Sequence, residues 1–203
     1  MKAFNLSFVI MALMSILIGF YPLVYLFVDN TYGLLASKSP ALLESLLWKT
    51  AFFGHILPGG IALLTGWTQF NASWRKRYPA QHRFVGKVYL LAVSLSALSA
   101  IFLSFYATGG LITGTGFFFL GIVWLFSSLH AFLAARSGDY KQHRIYMTFS
   151  FAACFGAVTL RIWMPLLSML IDDFITMYKI VAWLSWVPNL IVAYFILKRQ
   201  KLI

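Results

Sequence analysis

Apolar residues fall into six long runs separated by short polar or charged connections. Each run holds about 20 residues, the length an α-helix needs to cross the ~30 Å hydrocarbon core of a bilayer. The pattern predicts spans at roughly Leu6–Val28, Trp48–Phe70, Phe84–Ala107, Ile112–Ala135, Arg144–Ser168 and Thr176–Leu197. The expected class is therefore an all-α integral membrane protein, a single six-helix transmembrane domain over residues 1–203. Its four-helix core, about 48–168, comprises the second to fifth spans, with flanking helices at 6–28 and 176–197. The first run reads as a retained helix rather than a cleaved signal. No small-x-small site follows it, and Tyr21-Pro22 and Tyr25 continue it.

Breaks in the pattern add detail. Pro58 with Gly59 and Gly60 predicts a kink just after His55. The connection Asp29 to Leu47 contains Ser37-Lys38-Ser39-Pro40 followed by Ala41-Leu42-Leu43-Glu44, which reads as a short interfacial helix with Pro40 at its first position. Gln81-His82-Arg83 and Gln142-His143-Arg144 each open an apolar span. Pro79 precedes the first and Asp139 caps the second, so each histidine falls in the first turn of its helix. This weak repeat suggests two related helical hairpins.

Composition agrees with a membrane location: 61% apolar, 18% aromatic and 10% charged, with a mean hydropathy of +0.83. The formal net charge of +11 comes from clusters at alternate connections. Arg75, Lys76, Arg77, Arg83 and Lys87 form one, Arg136, Lys141 and Arg144 another, and Lys198, Arg199 and Lys201 the tail. With Lys2 they share one side of the membrane if the spans alternate, which puts both termini in the cytoplasm. Such residues meet anionic lipid headgroups and need no nucleic acid. A bacterial inner membrane is the expected location. Cys154 has no partner cysteine and reads as a small buried side chain.

Candidate chemistry rests on four histidines, His55, His82, His130 and His143, one on each of the four central spans. An ionisable group in a membrane span usually faces the bundle interior and marks a site, and imidazole ligates metals and haem iron. His143, Met147, Ser150, Cys154, Ala157 and Arg161 recur at helical spacing on the fifth span. His55, Gly59, Ala62, Gly66 and Gln69 share a face of the second, and His82, Gly86 and Tyr89 a face of the third. Small residues there permit tight helix packing or a flat ligand against a helix.

At these residues the chain resembles a bacterial predicted-membrane-protein family of unknown function, domain of unknown function 2306. The matching elements are His55 with Gly66 and Gln69, His82-Arg83 with Gly86 and Tyr89, Gly109-Gly110, Trp124, His130, His143-Arg144 with Met147, and Arg161. The family carries no established activity to transfer. More remotely, the chain is similar to six-helix di-haem b-type cytochromes, the transmembrane ascorbate-dependent reductases. That similarity implies His82 paired with His143 on one haem and His55 with His130 on another. The second pair is offset by about 10–15 Å along the helices, which favours one site near the cytoplasmic face.

The expectation is a membrane electron-transfer protein or oxidoreductase with haem b held chiefly by His82 and His143. Alternatively, His82, His130 and His143 bind a metal such as zinc, copper or iron, or His82 and His143 simply meet lipid headgroups. Arg83, Arg144 or Lys87 would neutralise propionates, and a quinone or small reductant is the expected donor. His55 reads as a second ligand, a quinone hydrogen-bond partner, or a core histidine bonded to a carbonyl freed at Pro58. Arg161 reads as a structural ion pair with Asp172 or Asp173, or as a contact for an anionic ligand. Two rival classes share these residues: a transporter or metal-handling protein, and a cofactor-free scaffold.

Overall fold

The computed structural model describes residues 6–28 and 33–203; Lys2 and Asp29, invoked above for charge and loop position, lie outside them. Six helical segments are long and apolar enough to cross a membrane: Leu6–Leu26, Leu46–Phe70, Pro79–Ser104, Leu111–Arg136, Tyr140–Ser168 and Phe174–Arg199. They agree with the expected runs to within a few residues. Between them lie short connections whose polar side chains start the next helix. Leu13, Leu17, Leu91, Leu95, Leu133 and Phe195 point outward and exposed, as lipid-facing side chains do. The chain is an integral, multi-pass membrane protein.

The helices are α1 (Leu6–Phe20), α2 (Pro40–Glu44), α3 (Leu46–Gly66), α4 (Ala72–Arg77), α5 (Pro79–Ser104), α6 (Leu111–Arg136), α7 (Tyr140–Cys154), α8 (Gly156–Ser168), α9 (Phe174–Leu184) and α10 (Val187–Arg199). Side-chain caps explain several starts. Ser39 accepts from the Leu42 amide and Ser45 from that of Trp48, both at 3.4 Å. Asn71 caps α4 at 2.9 Å, Asp139 caps α7 at 3.0 Å, and Asp173 caps α9 at 2.8 Å. Each satisfies an amide that the first helical turn leaves without a carbonyl.

Pro58 sits inside α3 without ending it. The fifth and sixth spans, by contrast, are each broken, at Phe155 between α7 and α8 and at Ser185–Trp186 between α9 and α10. The two breaks face one another. The Thr159 hydroxyl donates to the Ser185 carbonyl in a short hydrogen bond. Asn189 Nδ2 donates to the same carbonyl at 3.0 Å, to Thr159 Oγ1 at 3.0 Å and to the Ala152 carbonyl at 3.3 Å. Backbone freed inside a bilayer must be satisfied by protein, and here each broken helix satisfies the other.

Around this, α3 packs along α5, α5 along α6, and α6 along α7. Helix α1 leans on α3, α9 on α6 and α8, and α10 on α7. Two glycines set the closeness of α3 to its neighbours. A Cβ on Gly60 would stand 2.5 Å from the Gly19 carbonyl oxygen of α1, and one on Gly66 would stand 2.7–2.8 Å from the rings of Phe151 and Tyr89. Close approach of this kind is how apolar helices associate where lipid removes the hydrophobic drive.

Candidate functional site

Midway along the bundle a sealed polar network joins α5, α6 and α7. The Tyr89 hydroxyl lies 2.7 Å from Ser150 Oγ, which lies 2.6 Å from Ser128 Oγ. Ser128 also donates to the Trp124 carbonyl at 2.7 Å, and the Trp124 indole N–H points to the Tyr89 oxygen at 3.4 Å. Tyr89, Ser128 and Ser150 are at most 2% exposed. Every member has a partner, so the network fixes helix register without leaving a polar atom stranded. Cys154 lies buried beside it.

On one side of this network lies the basic end, with three of the four histidines. His143 Nδ1 faces the Ala131 carbonyl at 2.8 Å. A carbonyl only accepts, so the neutral ring carries its proton there and ties α7 to α6. His130 turns back on its own helix, Nδ1 to the Phe126 carbonyl at 2.9 Å, and stacks on the Phe126 ring at 3.9 Å between centroids. His82 rests its ring against Trp74 at 6.2 Å, with Nδ1 buried and unbonded among the described residues. Arg83 is exposed, and Arg144 Nη2 donates to Gln200 Oε1 at 3.1 Å.

The haem- and metal-centred expectation is overturned by this arrangement. Among the described residues, no group of three or more His, Cys, Asp or Glu side chains stands close enough to hold a metal ion. His82, His130 and His143 share one end of the bundle, where His143 and His130 each turn Nδ1 to a carbonyl of α6, but neither alone nor with a Cys, Asp or Glu do they form such a group. His55 is remote from them in the fold, on the other side of the Tyr89 network. The terms haem and electron transport therefore do not describe this arrangement, and neither does a metal-handling site built on the same histidines.

At the opposite end the bundle opens into a cavity of about 260 Å³. It runs from Ser37, Lys38 and Thr108 at the loop end down to Trp124 and Cys154. One wall is aromatic: Trp48 stacks on Phe52 at 5.2 Å and 11°, and Tyr25 meets Phe52 edge-on at 5.3 Å. Lys38 stands at the mouth, its ammonium donating to the Tyr106 carbonyl at 2.6 Å and to Thr108 Oγ1 at 3.0 Å. Burial there holds the Lys38 pKa below the ordinary amine value.

Two half-buried ionisable side chains line the interior, His55 and Arg161. His55 is held in a clasp by Ser96 of α5. Its Nδ1 lies 3.1 Å from the Ser96 carbonyl and 3.0 Å from Ser96 Oγ, while that hydroxyl donates to the His55 carbonyl at 2.8 Å. The carbonyl contact assigns the proton of the neutral ring to Nδ1, which leaves Nε2 as a bare acceptor. The carbonyl that His55 uses is thus on α5, not the Gly54 carbonyl that Pro58 leaves short of an N–H.

Arg161, on α8, pairs with neither Asp172 nor Asp173. Both aspartates are exposed, and Asp173 is occupied in capping α9. The guanidinium donates through Nη1 to the Ala157 carbonyl at 2.8 Å and lies over the Tyr21 ring at 4.3 Å. Tyr25 and Tyr178 complete its electrostatic surroundings. Its Nε is buried with no acceptor among the described residues.

Sequence reasoning found His55 and Arg161 but not the wall around them. Tyr25, Trp48, Phe52 and Tyr178 sit near span ends, where aromatic residues ordinarily signal nothing beyond the membrane interface. Lys38 read as an interfacial loop residue. Nothing in spacing brings Tyr25 of the first span and Tyr178 of the sixth to the same place.

No curated protein and no solved structure matches the chain, so nothing relates it to di-haem cytochromes. A family model does match, over residues 52–197, from the aromatic wall of the cavity through the broken helices of the fifth and sixth spans. This chain belongs to the family described as predicted membrane protein (DUF2306).

Proposed function

We propose that the protein is an intramembrane binding protein, which takes a lipid-soluble small molecule with an oxygen-bearing head into the cavity between His55 and Arg161. The observation that carries this reading is Arg161 itself, a cation lining an otherwise largely apolar cavity, with no carboxylate beside it among the described residues. Charged side chains inside a span are costly and persist where they serve a ligand, an ion path or a partner. A ligand supplies the missing acceptors. Small-molecule sites are mostly apolar concavities with a few convergent polar groups, and this cavity has that composition. A quinone ring or a carboxylate each presents the oxygens required.

In this reading the basic end faces the cytoplasm, as the positive-inside rule directs, so both termini are cytoplasmic. The cavity then opens in the outer half of a bacterial inner membrane. The functional core extends beyond the second to fifth spans, because Tyr25 and Tyr178 of the flanking spans line the site.

The test is photolabelling of the full chain in proteoliposomes with diazirine-bearing alkyl probes, one quinone-headed and one carboxylate-headed. Saturable labelling of Trp48, Phe52, Leu103 or Leu160, competed by unlabelled ligand, is the expected result. Labelling confined to outward-facing residues such as Leu17, Leu95 and Phe195, and not competed, would overturn the reading.

A further inference from the structure

We infer that the ligand is a single-chain monoanion with a carboxylate head, and that Arg161 is its counter-ion. This rests on the binding role proposed above and commits it to one chemical class. The cavity is lined by two cations, Arg161 and Lys38, and by no Asp or Glu among the described residues. The chain has only five acidic residues. Four are placed elsewhere: Glu44 exposed, Asp139 capping α7, Asp172 exposed and Asp173 capping α9. The fifth, Asp29, lies outside the described residues.

The two cations are not equivalent. The Lys38 ammonium already donates to the Tyr106 carbonyl and the Thr108 hydroxyl. A guanidinium carries five N–H donors in a planar fork, and among the described residues Arg161 places one of them, on a carbonyl of its own helix. The Tyr21 ring covers its face. What remains is a planar, singly charged donor array, and the matching acceptor is a carboxylate taken in two parallel hydrogen bonds. A neutral quinone supplies an oxygen but no charge. A phosphate monoester brings close to two negative charges against one free guanidinium.

The rest of the cavity suits an alkyl chain. Leu35, Leu63, Leu103, Leu120 and Phe52 line the space between Lys38 and Trp124. His55, with Nε2 as acceptor, offers nothing to a second carboxylate oxygen but accepts from a hydroxyl. A hydroxylated or simple fatty acid therefore fits, whether free in the bilayer or released from a lipid.

The experiment uses the full chain in proteoliposomes with the carboxylate-headed photoprobe. Competitors are a fatty acid, its methyl ester, the matching primary alcohol, the matching alkyl phosphate and a short-chain quinone. Adding the same acid as a phospholipid acyl chain separates the two sources. The acid should compete at least tenfold better than the ester or alcohol. Arg161→Gln should abolish that preference, and Arg161→Lys should retain part of it. Equal competition by acid and ester on a saturable site would overturn the carboxylate while leaving intramembrane binding intact. Better competition by the alkyl phosphate or the quinone would do the same. Equal competition that becomes acid-selective in Asp29→Asn would assign the counter-ion to Asp29 and overturn the role of the ligand. With no saturable labelling at all, both readings fall.

Discussion

The two ends of the bundle invite comparison because both hold histidines on the central helices, those of the basic end on α5, α6 and α7 and that of the cavity end on α3. At the basic end, His143 and His130 each bond a carbonyl of α6, and His130 stacks on Phe126 and Tyr146. Arg83 and Arg144 are exposed at this end, and charge is cheapest where it is least buried. At the cavity end a single histidine is clasped by Ser96, and a single arginine has more donors than acceptors among the described residues. The lesson concerns satisfaction rather than residue type. Three histidines near one another carried the stronger sequence signal; one ties α7 to α6, one turns back on its own helix, and one rests against Trp74. One arginine with a weak signal retains unspent hydrogen-bonding capacity in a place where that capacity is costly.

The comparison can be broken most sharply between the two ends, at Gly66. A larger side chain there meets Phe151 and Tyr89 at once, so Gly66→Leu should cost about 1–3 kcal/mol or more by overpacking. It should lower thermal stability in detergent and disturb both ends together. Damage confined to one end would show that the Tyr89 network does not couple them. Next comes Ser96→Ala, which opens the His55 clasp. The expected loss is about 1–2 kcal/mol, with weakened amide protection in α3 and α5 and reduced labelling of the cavity.

His143→Ala removes one tie between α7 and α6 and should cost about 0.5–1.5 kcal/mol, with cavity labelling unchanged. Loss of cavity labelling in this variant would erase the distinction between the ends. His130→Ala, on a half-exposed ring, should change stability by about 0.5 kcal/mol or less, measured in the same unfolding series. The smallest effect concerns Asp173, whose bonds to the start of α9 hold its pKa below the ordinary carboxylate value. A carboxyl with a lowered folded-state pKa stabilises above its unfolded pKa, and that contribution is lost as pH falls through the folded value. Asp173→Asn keeps a cap of comparable quality and should flatten the acid limb of the stability profile slightly. An unchanged profile would mean the charge contributes nothing beyond the cap.

Much of the fold was legible in the chain because membrane spans obey a length rule and a hydropathy rule that are both local. The α2 start at Ser39-Pro40 and the Asp139 cap were equally local, and they are where the residues put them. The breaks in the fifth and sixth spans were not, although Gly156, Pro188 and Asn189 stood in view. A break is tolerable only if its carbonyls find donors, and each break takes at least one donor from the other span. The same holds for the site: His55 and Arg161 stood out as ionisable groups in apolar runs, but their partners are Ser96, Tyr21, Tyr25 and Tyr178, spread over three spans.

Taken alone, the sequence determined that the protein crosses a membrane six times as helices, and which of its residues are rare enough there to need a reason. Those properties follow from the free energy of placing each side chain in hydrocarbon, which is summed residue by residue along the run. Only the tertiary structure decided that three histidines are divided among separate contacts and that Arg161 keeps donors without acceptors among the described residues, beside an apolar cavity. Hydrogen-bond satisfaction depends on which helices touch, and at what depth, and no pattern within one span records that.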